Sequence, residues 1–344
     1  MNRFIPQYEP CILEEDVKAV MQQMNSGWVG CGSTVESFES KICLLGGHKH
    51  CISTTSGTTA IIMALKSFNL RPGSTIVFPN YTFLAAANAA KFLGFNIKLV
   101  DVKSDTLCMD PTKIPFDDKD VSCIIFVNHN GYVGPDVSFT RLRCDVHHIK
   151  MLEDSSQALG ISNAGKTGHA GIYSFSVPKV VTTGQGGCVV TEDDEVATEC
   201  KKLRDHGDNW RKTKCHQFLG VNFKFNDILA SYGLSQLERF DSILMTRTKI
   251  FNQYRKYIKL KDFGYDATWM VVYETLNADE VIAKLADKKI QAVKYYLPVN
   301  WNDVYKTDEK FEVSELMYST LVYLPSSLNL TEEEVVLIGE TING

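Results

Sequence analysis

Short apolar runs recur along the first half of the chain, at residues 75–78, 97–100, 123–127 and 149–152. Turn residues bound each run, and a helix-length segment separates it from the next. A strand that leaves its sheet through a crossover of that length returns parallel to where it started. The spacing therefore predicts α/β units around a mostly parallel sheet. A further strand is expected at Val189-Val190-Thr191, after a glycine turn. The helices expected between and around these runs cover residues 14–24, 34–45, 56–65, 83–92 and 195–204. In the first of them Val17, Val20, Met21 and Met24 fall on one stripe.

The pattern changes in the second half. Residues 226–258 read as one long amphipathic segment, with Ile228, Leu229, Tyr232, Leu237, Phe240 and Leu244 near helical spacing. From about residue 262 short strands and helices mix: a strand at 270–273, a helix at 278–287, and a last helix at 331–342 with Thr331 capping onto Glu334. The division this suggests is a large domain over residues 1–245 and a smaller one over 246–344.

Charge and cysteine usage narrow the function classes. With 36 basic against 41 acidic residues, a net charge of -5 and no basic run, nucleic acid is not expected as a partner. Residues 1–10 lack the apolar core of a signal peptide, and no apolar stretch is long enough to cross a bilayer. The ten cysteines are scattered without a C-x-x-C pair. Reduced, buried thiols in a cytoplasmic protein are the expectation. His48, His50 and Cys51 lie close in sequence, but no second ligand pair stands at zinc spacing, so no metal is expected there.

Four local features bear on chemistry. Ser56-Gly57-Thr58 opens a helix, where free N–H groups and the helix dipole favour an anion such as phosphate. The same triplet also makes an ordinary N-cap. Phe83, after the strand at 75–78, is either a flat face for an aromatic ligand or a core phenylalanine. Asp154 stands at a strand's C-terminal end, where α/β proteins place functional groups, and a helix cap would look alike. Lys179 sits in Ser174-Phe175-Ser176-Val177-Pro178-Lys179, just before Thr182-Thr183-Gly184-Gln185-Gly186-Gly187. Taken alone it would pass for a surface lysine. Paired with an upstream strand-end acid, it suits a pyridoxal phosphate (PLP) enzyme, in which the amine forms a Schiff base and the carboxylate keeps the pyridine nitrogen protonated.

In this order the motifs resemble the DegT/DnrJ/EryC1/StrS family of PLP-dependent nucleotide-sugar aminotransferases. The resemblance runs through nearly the whole chain. It includes Gly27-Trp28-Val29 to Phe38-Glu39, Ser56-Gly57-Thr58-Thr59-Ala60, Pro79-Asn80-Tyr81-Thr82-Phe83, Glu153-Asp154-Ser155-Ser156-Gln157-Ala158, the segment 174–187, and Gly220-Val221-Asn222-Phe223-Lys224 to Gln236-Leu237. The perosamine and viosamine type, which aminates 4-keto-6-deoxy sugars, is the most similar. The resemblance implies the aminotransferase fold of type I: a large domain with a mostly parallel seven-stranded sheet flanked by helices, and a small C-terminal α+β domain. It implies that Lys179 carries the Schiff base and Asp154 pairs with the pyridinium nitrogen. By the same token Gln157 meets the ring hydroxyl and Phe83 stacks on the ring. Gly57, Thr58 and Ser174 hold the phosphate, and Asn222 reaches it from the partner subunit of a homodimer.

The resemblance further implies L-glutamate as amino donor and C4 of a nucleotide-linked 4-keto-6-deoxy sugar as acceptor. Two alternatives are a 3-aminotransferase on a 3-keto nucleotide sugar and a non-catalytic regulatory protein of the same fold. A sugar dehydratase of this kind has histidine at the lysine position, which Lys179 opposes. A dinucleotide oxidoreductase is disfavoured because no G-x-G-x-x-G follows a strand. The chain departs from the family pattern at Gln185 (usually Glu), Lys224 (usually Arg), Asn300 (often His) and Asn128 (commonly His).

Overall fold

The apolar runs all become strands of one sheet. The computed structural model describes residues 3–207, 215–216, 218–263 and 269–344. In chain order the strands are β1 (His50–Thr54), β2 (Thr75–Pro79), β3 (Asn96–Val100), β4 (Val121–Val127), β5 (Lys150–Asp154), β6 (Ala170–Ser174) and β7 (Gly187–Thr191). They lie side by side in the order β1-β7-β6-β5-β4-β2-β3. β2, β3, β4, β5 and β6 pair in parallel, while β7 is antiparallel to both β6 and β1. The exception has a local cause. A glycine-rich turn, not a helical crossover, joins β6 to β7, so the chain can only run back.

The central strands are buried along nearly their whole length, with Ile124, Ile125, Phe126, Met151, Leu152, Val189 and Val190 inaccessible to solvent. Burial on both faces explains why they read as continuous apolar runs and not as alternating patterns. Helices α1 (Glu14–Asn25), α2 (Ser33–Gly46), α3 (Gly57–Ser67), α4 (Ala85–Phe92), α5 (Pro135–Val146) and α6 (Asp194–Arg204) accompany the sheet. α3 supplies Ala60, Ile61, Met63, Ala64 and Leu65 to the main core.

A second core lies around the antiparallel pair β8 (Val272–Glu274) and β9 (Leu321–Tyr323). The expected strand at 270–273 is shifted: its first two residues, Met270 and Val271, hold other partners, namely Asn130 and Ser326. Helices α9 (Ala278–Asp287), α10 (Glu312–Thr320) and α11 (Glu332–Asn343) complete this unit. α11 begins as expected, with Thr331 Oγ1 accepting from Glu334 N and Glu334 Oε2 accepting from Thr331 N.

The long segment at 226–258 is two helices, α7 (Asp227–Glu238) and α8 (Phe240–Tyr254), separated at Arg239 (φ -107°, ψ 23°). There the guanidinium reaches sideways to Asp16 and to the carbonyl of Cys11. α8 changes cores along its length: Phe240 and Ile243 pack on the sheet side, Ile250, Phe251 and Tyr254 on the other.

Helix α1 forms where expected, but its apolar stripe does not face the core. In α1 the buried residue is Asp16, whereas Val17, Met21 and Met24 are about half exposed at 49%, 57% and 57%. The helix docks on α7 through Asp16, which accepts from Ser235 Oγ at 2.8 Å, and turns its apolar stripe outward. The cysteines depart in part from the expected burial: eight are buried or half-buried, but Cys31 and Cys215 are exposed. His50 opens β1 and contacts Asp194, while His48 points inward to Tyr173 Oη at 3.1 Å. No helix among the described residues is long and apolar enough to cross a membrane.

Candidate active site

Because β7 alone runs backwards, the carboxyl ends of all the other strands fall on one edge of the sheet. In open α/β sheets the crevice outside that edge is where ligands bind. Five connections emerge there, carrying Ser56-Gly57-Thr58 after β1, Phe83 after β2, Asn128 after β4, Asp154 ending β5, and Ser174 ending β6 with Lys179 in the turn beyond. A pocket of about 300 Å³ is lined by Gly57, Thr58, Phe83, Asp154, Gln157, Ser174 and Lys179, with Gln185, Trp269 and Tyr296 among the other walls. Seven of the eight residues expected at the site are thus brought together. The eighth, Asn222, is exposed outside this pocket, its Oδ1 accepting from Lys224 N at 3.4 Å. A larger cleft of about 520 Å³ near Arg71, Phe116 and His147 lies at the opposite ends of β4 and β5 and contains none of these groups.

The helix start is built as an anion cradle. Ser56 caps α3, its Oγ accepting from Thr59 N at 3.1 Å while Thr59 Oγ1 accepts from Ser56 N at 2.9 Å. Gly57 and Thr58 occupy the first turn, where N–H groups have no intrahelical acceptor. A Cβ on Gly57 would stand 3.0 Å from Ser174 Cβ and 3.2 Å from its Oγ, closing the space between helix and strand. From the other side Gly187 backs the same turn: a Cβ there would come within 2.5 Å of Gly57 N.

Lys179 and Asp154 are the charged groups in the pocket lining. Burial brings the Lys179 amine down to about 8, with the Asp154 charge opposing the fall. Desolvation lifts the Asp154 carboxyl above its ordinary range, opposed by the Ser156 hydroxyl and by Ser156 N, which donates to Oδ1 at 3.0 Å. Each charge supports the other in a site that disfavours both. Gln157 is buried and tied at both ends: Oε1 accepts from Asn130 N at 2.6 Å, and Nε2 donates to Tyr296 Oη at 3.1 Å. Its outward contribution is therefore limited to the remaining lone pair and proton. Phe83 is 65% exposed, a side chain with a free face at the pocket mouth.

The four departures have distinct surroundings. Gln185 lines the pocket. Lys224 pairs with Asp205 away from it. Asn128 donates to Glu153 Oε1 at 2.6 Å and Ser155 Oγ at 2.8 Å, beneath the strand ends. Asn300 makes a reciprocal amide pair with Asn80: Asn80 Nδ2 donates to Asn300 Oδ1 at 2.9 Å, and Asn300 N donates to Asn80 Oδ1 at 2.9 Å.

Sequence reasoning missed Trp269, Tyr296 and His129. Trp269 is fully buried, with its ring centroid 4.4 Å from Lys179 Nζ. His129 stacks on Tyr81 at 5.5 Å and meets Tyr323 Oη at 3.1 Å. The adjacent Tyr295-Tyr296 was the available signal, since two phenols need partners if buried. Nothing local marks Trp269, because its partner lies 90 residues upstream.

A lysine and a strand-end acid meeting beside a helix N-terminus, on the carboxyl edge of this sheet, define an α/β protein of the aminotransferase class. The family model described as the DegT/DnrJ/EryC1/StrS aminotransferase family matches residues 10–343, and the chain belongs to that family. Among its relatives, a GDP-perosamine synthase of Escherichia coli O157:H7 is 27% identical, with 99% of this chain and 98% of that protein covered. The spore coat polysaccharide biosynthesis protein SpsC of Bacillus subtilis is 25% identical, covering 97% and 95%. Of solved structures, Helicobacter pylori PseC, an aminotransferase involved in the biosynthesis of pseudoaminic acid, superposes with a TM-score of 0.93 at 24% identity, covering 99% and 98%.

Proposed function

We propose that the protein is a PLP-dependent aminotransferase that moves an amino group from L-glutamate to C4 of a nucleotide-linked 4-keto-6-deoxy sugar. The observation that carries this reading is the Lys179–Asp154 pair in one pocket beside the α3 cradle. The pocket fits the cofactor in its donor set. The N–H groups of Gly57 and Thr58 with the Ser174 hydroxyl would hold a phosphate, Phe83 offers a face for a ring, and the remaining hydrogen-bonding capacity of Gln157 suits a ring hydroxyl. When bound, PLP supplies an electron-accepting ring that stabilises negative charge on the carbon losing its proton.

The residues divide the remaining work. Asp154, when ionised, favours a protonated ring nitrogen and so places negative charge where positive charge must be kept. The Lys179 amine, brought to about 8, releases and regains a proton close to neutral pH, as a general base for both half-reactions requires. The GDP-perosamine synthases among the relatives support the 4-keto-6-deoxy acceptor. Asn222, exposed and outside this pocket, suits a contribution to a partner's site in a homodimer. The outward Val17, Met21 and Met24 of α1, with Trp28 75% exposed nearby, supply apolar surface for such an association.

The test is to incubate the protein with PLP, L-glutamate and a panel of GDP-, dTDP- and UDP-linked 4-keto and 3-keto sugars. Formation of 2-oxoglutarate with a 4-amino product is the expected result. A 3-amino product would replace the C4 assignment. No 2-oxoglutarate with any acceptor would overturn aminotransfer, and sedimentation showing a monomer would overturn the shared site.

A further inference from the structure

We propose that Trp269 is a positioning residue for the Lys179 amine: its indole face receives the ammonium whenever the amine is not covalently engaged. This deepens the proposed function and rests on it for the role of Lys179.

Three contacts fix the lysine from one side. The ammonium stands 4.4 Å from the centre of the Trp269 ring, within cation–π range. Trp269 Nε1 donates to the carbonyl of Pro178 at 2.6 Å, and Tyr8 Oη donates to the carbonyl of Lys179 at 3.1 Å. One indole therefore holds both the backbone entering Lys179 and the far end of its side chain.

The indole is itself braced. Arg247, on α8 and only 2% exposed, donates from Nη1 to the Trp269 carbonyl at 2.6 Å and from Nη2 to Tyr8 Oη at 3.5 Å. The next residue, Met270, exchanges both backbone groups with the Asn130 side chain: Met270 N donates to Oδ1 at 3.1 Å, and Nδ2 donates to Met270 O at 3.3 Å. Asn130 adopts a positive φ of 51° to make this exchange, and the same residue donates its N–H to Gln157. Tyr295 packs edge-on against the indole at 5.5 Å. A ring held this firmly is a fixed electrostatic surface.

The chemistry follows from the ring's quadrupole. A buried amine in a mostly apolar wall loses its proton readily, and an aromatic face opposes that loss by stabilising the ammonium. The face thus gives the released amine a defined resting place with its proton still on, from which proton return is directed.

The test reads the amine directly. The cofactor-free full chain is trace-labelled with acetic anhydride from roughly pH 6 to pH 11, bracketing an ordinary lysine. Acetylated Lys179 is quantified by mass spectrometry, and a midpoint is obtained for native protein, Trp269→Phe and Trp269→Leu. Removing the face should lower the midpoint, by about one pH unit in Trp269→Leu and by less in Trp269→Phe. Water entering a cavity would raise it instead. A midpoint unchanged or raised in Trp269→Leu overturns the proposal. If that variant does not fold, Trp269→Phe decides by the same sign. The labelling needs neither cofactor nor sugar, so its outcome stands apart from the search for aminotransfer.

Discussion

At the residue scale, the proposed chemistry depends on Lys179 being poised near neutrality inside a wall that would otherwise discharge it. Lys179→Ala should retain cofactor through the α3 cradle and lose turnover by at least the roughly 10²–10⁴-fold typical of a general base; single-turnover kinetics with L-glutamate would show it, and a rate near the parent's would remove the role. Asp154→Asn should lower the rate more than it lowers cofactor affinity, and equal losses in both would reassign Asp154 to binding. Only the neutral amine can attack an aldehyde. With the amine at about 8, covalent capture of PLP should accelerate as pH rises through that value and level off above it. Stopped-flow absorbance across that range checks it; a profile still climbing near the ordinary lysine value would show that burial does not tune the group. Lys179, Asp154 and the glycine-led helix start were legible because their motifs are contiguous. Trp269 and His129 were not, because their meaning lies in partners far along the chain.

At the element scale, the loop after β2 and the loop before α10 are joined by the Asn80–Asn300 amide pair, with Val299 N also donating to the Asn80 carbonyl at 2.8 Å. Both side chains are buried, at 0% and 5% exposure. Asn80→Ala would leave the Asn300 amide without its partner, a loss on the order of 1–3 kcal/mol. Urea denaturation should show a lower midpoint at unchanged slope; an unchanged midpoint would mean the pair is replaced by water. The strands at 75–79 and 121–127 were readable because burial on both faces leaves a nearly continuous apolar signal, and those at 96–100, on the sheet edge, and 150–154 because short apolar runs there lie between turn residues. β1 carries little apolar signal in its own composition, His-Cys-Ile-Ser-Thr, whose Ser53 is satisfied by Glu39 from α2. The break at Arg239 was not visible in the helical periodicity, and the ion pair formed there reaches back to Asp16. Helical periodicity describes a face and does not say what the face meets; the outward stripe of α1 shows this.

At the scale of the whole molecule, three histidines are folded in as neutral rings. Burial depresses His48 to about 4, His129 to about 3 and His169 to about 4. Unfolded, each would take a proton near its ordinary value, about 6.5. Above that the contribution to stability is fully present. As pH falls below it the unfolded chain binds more protons, and stability drops by up to about 1.4 kcal/mol per pH unit for each histidine until the folded values are reached. Thermal melting should therefore fall clearly between neutral pH and pH 5, and His129→Gln should flatten part of that slope. A melting temperature independent of pH over this interval would show that the rings protonate without unfolding.

The stretch that carries Tyr8 is stapled to distant parts of the chain: Ile5 N donates to the carbonyl of Lys289, Gln291 N to that of Ile5, and Ser326 N to that of Gln7. A ribosome delivers Tyr8 hundreds of residues before these anchors emerge. The support beneath the lysine peptide is consequently completed only after Ser326 has been made. Synthesis order alone keeps an unfinished polypeptide from assembling the full setting in which vitamin B6 would be captured.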